Sequence, residues 1–109
     1  MKNVKNAHMG THLLVEVYNV PFEKLNDRDK IEKICVSACK TEGLEILNTY
    51  THQFDPYGVT CTVTLGESHL SCHTWPEKTV LHSIFLLVEQ KIHVVLLGGY
   101  LNTLILMIM

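Results

Sequence analysis

One apolar stripe on one helix limits what this chain can become. Ile31, Ile34, Cys35 and Ala38 recur at i, i+3, i+4 and i+7, which lays them along one face of a helix that starts behind Asp27 or Asp29 and runs to about Glu42. Gly43 then stands where a left-handed residue commonly ends a helix. A lone helix with one apolar face must bury it, and the flanking sequence offers strands. Residues 12–20 (HLLVEVYNV) are rich in β-formers and stop at Pro21, which has no amide to donate. Residues 44–54 and 59–65 are again rich in β-branched and aromatic residues, and Asp55-Pro56-Tyr57-Gly58 between them has turn chemistry, so the pair reads as a hairpin. Residues 69–75 continue extended until Pro76. Strand, helix, then several strands predicts an α+β fold with the helix on one sheet face.

The chain of 109 residues forms one domain, spanning positions 1–109, small enough that pairing with a second copy would help its stability. A net charge of −2 with scattered lysines provides no basic stripe, which argues against nucleic acid as a partner. Cys35, Cys39, Cys61 and Cys72 lie in unrelated contexts and no secretory apolar stretch opens the chain, so reduced thiols and a cytoplasmic location are expected. Cys35 and Cys39, one turn apart, read as small core hydrophobes. The composition changes after Lys78. Of 9 basic and 11 acidic residues only Lys91 and Glu89 lie beyond it, and residues 92–109 carry no charge at all. That apolar stretch reaches the lower edge of a membrane-spanning length. Gly98-Gly99, Asn102, His93 and the lack of a flanking basic cluster argue against a membrane helix.

The residues with most chemical content are Glu67-Ser68-His69-Leu70 and His73-Thr74-Trp75-Pro76-Glu77. With Gly10-Thr11-His12-Leu13 at the first strand and Pro56-Tyr57-Gly58-Val59 in the turn, they make residues 10–78 similar to the bacterial-type S-adenosylmethionine decarboxylases. The resemblance implies a two-layer α/β sandwich with a largely antiparallel sheet, assembled as a homodimer of cleaved protomers. It also implies self-cleavage. The Ser68 hydroxyl attacks the Glu67 carbonyl, the peptide bond becomes an ester, and β-elimination leaves dehydroalanine, which tautomerises and hydrolyses to a pyruvoyl group. Residues 1–67 then form the β chain and residues 68–109 the α chain. No cofactor is imported, because the ketone at position 68 is an electrophile that can form a Schiff base with S-adenosylmethionine and draw electrons during decarboxylation, a step of spermidine biosynthesis.

The same resemblance assigns further roles. Elimination needs a base for the serine α-proton, and ester formation passes through an oxyanion that needs donors. His73 is implied as the base and Thr60 as the stabilising hydroxyl. Phe54 is implied to stack on the adenine and Glu77 to contact substrate. Read without the resemblance, His73 is an ordinary strand histidine, and His69, Cys72 and His73 could be mistaken for a metal cluster. Alternation along a strand puts His69 and His73 on one face and Cys72 on the other, which argues against any metal. Ser68 and His73 also differ in parity, so a bulge or sharp turn beside the scissile bond is expected to bring them to one site.

Beyond Lys78 the chain departs from the family pattern. Family members carry a proton-donating cysteine in a Phe-Thr-Cys-Gly run about fifteen positions after the histidine, where Val88 stands here, and residues 79–109 lack the expected charged second helix. A shifted reading frame accounts for both. Residues 82–91 (HSIFLLVEQK) can be encoded so that the same bases, started two positions later and followed by the first two of Ile92, spell Phe-Asp-Ile-Phe-Thr-Cys-Gly-Thr-Lys-Asn. Two other functions remain open on the sequence: a pyruvoyl-dependent arginine or ornithine decarboxylase, and a catalytically inactive homologue or regulatory partner lacking the cysteine. The frameshift is tested by the gene itself. Codons for residues 82–91 should spell that run in another frame, and codons that do not would end the idea.

Overall fold

The computed structural model describes residues 10–41, 43–66, 68–87 and 102. Five strands, β1 (Thr11–Val17), β2 (Ile46–Gln53), β3 (Val59–Leu65), β4 (His69–Trp75) and β5 (Val80–Leu87), make one antiparallel sheet in the order β1-β5-β4-β3-β2. Helices α1 (Phe22–Leu25) and α2 (Arg28–Thr41) precede β2, and α2 packs on β2 and β3. The α+β architecture expected from the sequence is the one found.

Strand alternation divides the sheet into two unlike faces. Toward the helices point Val15 of β1, Val59, Cys61, Val63 and Leu65 of β3, Leu70 and Cys72 of β4, and Leu81 and Phe85 of β5. They close the core with Leu25 and the α2 stripe Ile31, Ile34, Cys35, Ala38 and Cys39. All four cysteines are free and buried, and burial pushes the Cys39 thiol up to about 12. A thiol held protonated in this way packs as a small hydrophobe. The opposite face carries Thr60 and Thr62 of β3, His69, Ser71 and His73 of β4, and His82, Ile84 and Leu86 of β5, all half-buried with no helix of the described residues over them.

The ends of α2 follow the sequence closely. Asp27 is the cap: its carboxylate accepts from the Lys30 amide at 3.1 Å and its carbonyl from the Ile31 amide at 2.9 Å. At the other end Gly43 (φ 71°) donates to the Lys40 carbonyl and Leu44 to that of Cys39, a Schellman closure. The first strand stops earlier than its composition suggests. Asn19 takes a left-handed φ of 62° and the Val20 amide turns to the Thr79 carbonyl, so β1 ends at Val17 rather than at position 20. The short α1 was not legible in the sequence, because four residues cannot display a helical period.

The strand β5 lies within the stretch where charge disappears. Leu81, Ser83 and Phe85 are fully buried and alternate with His82, Ile84 and Leu86 on the open face. Ser83 avoids the cost of a buried hydroxyl by donating to the Ser71 carbonyl at 2.8 Å. The apolar residues 92–109 lie outside the described residues apart from Asn102, as does Val88. Among the described residues no helix is long and apolar enough to cross a membrane.

The Asp27 cap is the helix contact most easily tested. Asp27→Ala should lower stability by about 1 kcal/mol in urea denaturation, and an unchanged midpoint would show that the cap contributes nothing.

Candidate active site

Two strands and a turn build a cavity that carries titratable chemistry. Antiparallel pairing sets Thr60 of β3 directly opposite His73 of β4, and the Thr60 hydroxyl lies 3.0 Å from the His73 Nδ1. Both stand on the face the helices leave open. They form the base of a cavity of about 420 Å³ whose walls include Phe54, Tyr57, Trp75, Asp55 and Glu77. Three aromatic rings and two carboxylates, with no lysine or arginine among the lining residues, suit a ligand that is flat, apolar and positively charged.

The wall is held in shape by two residues that the sequence did not single out. Asn26, at the end of α1, accepts through its Oδ1 from the Gly58 amide and from the Gln53 side chain, each at 2.9 Å. Gly58 closes the turn by accepting from the Phe54 amide at 2.8 Å, across a cis Asp55–Pro56 bond. Thr74, buried beneath the cavity, accepts from the Val59 amide and donates to the Leu25 carbonyl, both at 2.9 Å. Thr74 thus ties β3, β4 and α1 together directly under His73. The available signal was its parity: a hydroxyl at an inward strand position must find a partner in the core.

His73 is an imidazole in its less basic form. Burial lowers its pKa below the ordinary histidine value, and the charge of His82 on β5 lowers it further. Its neutral form therefore persists to lower pH than that of a free histidine.

Ser68 is elsewhere. It closes the tight turn between β3 and β4, where its carbonyl accepts from the Leu65 amide at 2.9 Å. The Gly66 amide donates to the Glu45 carbonyl at 3.0 Å, and a Cβ on Gly66 would come 2.8 Å from the Glu45 carboxylate. Glu67, between them, lies outside the described residues. Of the bulge or sharp turn expected beside the scissile bond, the turn between β3 and β4 is present, while β4 itself carries no bulge: it pairs with β5 residue for residue from His69 to Trp75 and with β3 from His69 to His73. Unbroken pairing on both sides leaves no room for an extra residue. Ser68 is consequently at one end of β4 and His73 toward the other, five residues or about 17 Å away along the strand. The structure brings Thr60, His73, Phe54 and Glu77 to one cavity and leaves Ser68 out of it. His69 and His73 face the open side while Cys72 is in the core, and among the described residues no group of three or more His, Cys, Asp or Glu is placed to hold a metal.

Fold and site together define an α+β domain with a threonine-histidine pair on the sheet face opposite the helices of the described residues. The family model described as S-adenosylmethionine decarboxylase matches residues 11–91, and the chain belongs to that family. It is 49% identical over 69 residues to the S-adenosylmethionine decarboxylase proenzyme of Moorella thermoacetica and 48% identical over 69 residues to that of Syntrophomonas wolfei. Each alignment takes in 63% of this chain and 55% of the relative, so the chain spans about half the length of the curated relatives it matches. The adenosylmethionine decarboxylase structure from Aquifex aeolicus superposes with a TM-score of 0.76 at 25% identity, covering 92% of this chain and 80% of that one.

Gly58 has φ 111°, which a side chain rarely adopts, and a Cβ there would contact the Thr74 carbonyl at 3.5 Å and Phe54 at 3.8 Å. Gly58→Ala should cost about 1–3 kcal/mol in thermal denaturation. A variant as stable as its parent would show that the turn can take another shape.

Proposed function

We propose that this chain is a pyruvoyl-dependent S-adenosylmethionine decarboxylase proenzyme that cleaves itself between Glu67 and Ser68. The Thr60–His73 hydrogen bond at the base of an acidic, aromatic-walled cavity carries the reading. Neutral His73 can accept the α-proton of the esterified Ser68, and Thr60 can donate to the oxyanion that precedes the ester. Once formed, the pyruvoyl ketone at position 68 supplies an electrophile for the substrate amine and an electron sink for loss of carbon dioxide.

The cavity suits the substrate that the family name specifies. S-adenosylmethionine carries a flat purine and a sulfonium cation. Phe54 is the proposed stacking surface for the purine, with Tyr57 and Trp75 beside it. Glu77 and Asp55 supply negative charge for the cation. The buried, free cysteines fit a reduced cytoplasmic protein.

The position of Ser68 argues that one copy of the chain does not complete a site. With about 17 Å of strand between the serine and His73, and no bulge to shorten it, Ser68 of one copy is assigned to His73 and Thr60 of a second. A two-fold dimer would place each turn over the other copy's cavity. This arrangement agrees with the homodimer expected for the family.

Mass spectrometry of the full chain tests the whole reading. The unmodified protein should yield fragments 1–67 and 68–109 with a ketone at the new amino end; Ser68→Ala should remain intact, and His73→Ala should stall as an ester that hydroxylamine cleaves. When the Ser68→Ala and His73→Ala chains are refolded together, the His73→Ala chain alone should mature. Persistence of a single unmodified species in every sample would remove the self-cleavage reading, and failure of complementation by otherwise competent chains would remove the shared site.

A further inference from the structure

An acidic cavity and a histidine base make opposing demands. Carboxylates that attract a sulfonium cation also favour the protonated imidazole, and a protonated His73 cannot accept a proton. The sheet supplies a counterweight. The residue opposite His73 on β5 is His82, on the same open face and on the side away from Thr60. Directly paired side chains on adjacent antiparallel strands have Cβ atoms about 5 Å apart, so a charge on His82 acts on His73 at short range.

We propose that His82 is a positioning residue of this site, standing against the His73 ring opposite Thr60 and keeping that ring in its neutral, proton-accepting form. The inference rests on His73 being the base of the self-cleavage described above. The surroundings of His73 can be named strand by strand. Thr60 on β3 is its non-ionisable neighbour, with His52 of β2 beyond it in the same row; His82 on β5 is its ionisable neighbour, with Glu16 of β1 beyond. His69 shares its face of β4, Trp75 follows at a ring separation of 6.1 Å, and Asp55, Tyr57 and Glu77 line the cavity. Of these, His82 is the ionisable basic group paired with His73 directly. Its interposition also keeps Glu16, whose carboxylate accepts from the Tyr18 hydroxyl at 2.9 Å, one strand away from the base. The lowered basicity of His73, caused first by burial and then by His82, agrees in sign with this arrangement.

Removing the positive charge relieves repulsion, so His73 should bind its proton more readily and titrate at higher pH. The Ser68→Ala chain, which cannot cleave itself, provides a homogeneous background in which the His73 ring can be titrated by NMR. Adding His82→Gln should move its midpoint upward, whereas His82→Lys, which keeps a cation, should leave it near the parent value. In chains retaining Ser68, His82→Gln should shift the acid limb of pyruvoyl formation upward by the same interval, with the rate at alkaline pH little changed. A His73 midpoint that stays put or falls in His82→Gln overturns the proposal, as does a His82→Lys variant that behaves like His82→Gln. A shifted midpoint with an unshifted pyruvoyl profile keeps the coupling and instead overturns the assignment of His73 as base. Far-UV circular dichroism of each variant separates these results from loss of fold.

Discussion

The unbroken pairing of β4 between β3 and β5 is the constraint on which the rest depends. β4 is the middle strand, so its backbone groups are committed on both sides and its register cannot slip without turning the core outward. Because the register is fixed, Leu70, Cys72 and Thr74 must face the helices and His69, Ser71 and His73 must face away. The same pairing puts Thr60 and His82 on the two sides of His73. Binding chemistry and core packing are thus alternate residues of one seven-residue strand.

The cavity is shaped from the core side. Thr74, one residue after His73, spends its hydroxyl on α1 and β3, and Asn26 at the end of α1 spends its carbonyl on the turn that carries Phe54. The aromatic wall therefore moves with the short helix rather than with the sheet alone. A change at Leu25 or Asn26, remote from His73 in sequence, would be felt at Phe54 and Gly58 before it was felt at the Thr60–His73 pair.

Much of this fold was legible because periodicity speaks directly about faces. The α2 stripe, a cap at Asp27 or Asp29, its Gly43 end and the spans of β3 and β4 all follow from spacing and turn chemistry. Thr60, His73, Phe54 and Glu77 could be named, through family resemblance, and they do meet around one cavity. What could not be read was distance along a strand. Parity said that Ser68 and His73 face differently, and a bulge or sharp turn was the expected remedy. Five residues of extended chain span about 17 Å, which no one-residue bulge removes. Asn26 and Thr74 were missed because their roles depend on partners 32 and 49 residues away, a separation that local patterns do not encode.

The change in composition after Lys78 marks no boundary in the sheet, and the reason is physical. A central strand asks little of its sequence: backbone pairing comes from both neighbours, and the inward positions need only apolar or self-satisfied side chains of suitable volume. Leu81, Ser83 and Phe85 meet that demand. The outward positions are different, since they decide what the open face can do. There Ile84 and Leu86 lie beside Leu14, which is 68% exposed, while His82 lies beside His73. An apolar zone next to a polar row is poorly suited to bulk water. Laying a second sheet over it would bury the apolar zone, and it would also exclude water from the Thr60–His73 pair, where electrostatic interactions strengthen as the solvent leaves. On the proposed reading, the association that covers the exposed Leu14 and its half-buried neighbours is the same event that supplies the serine.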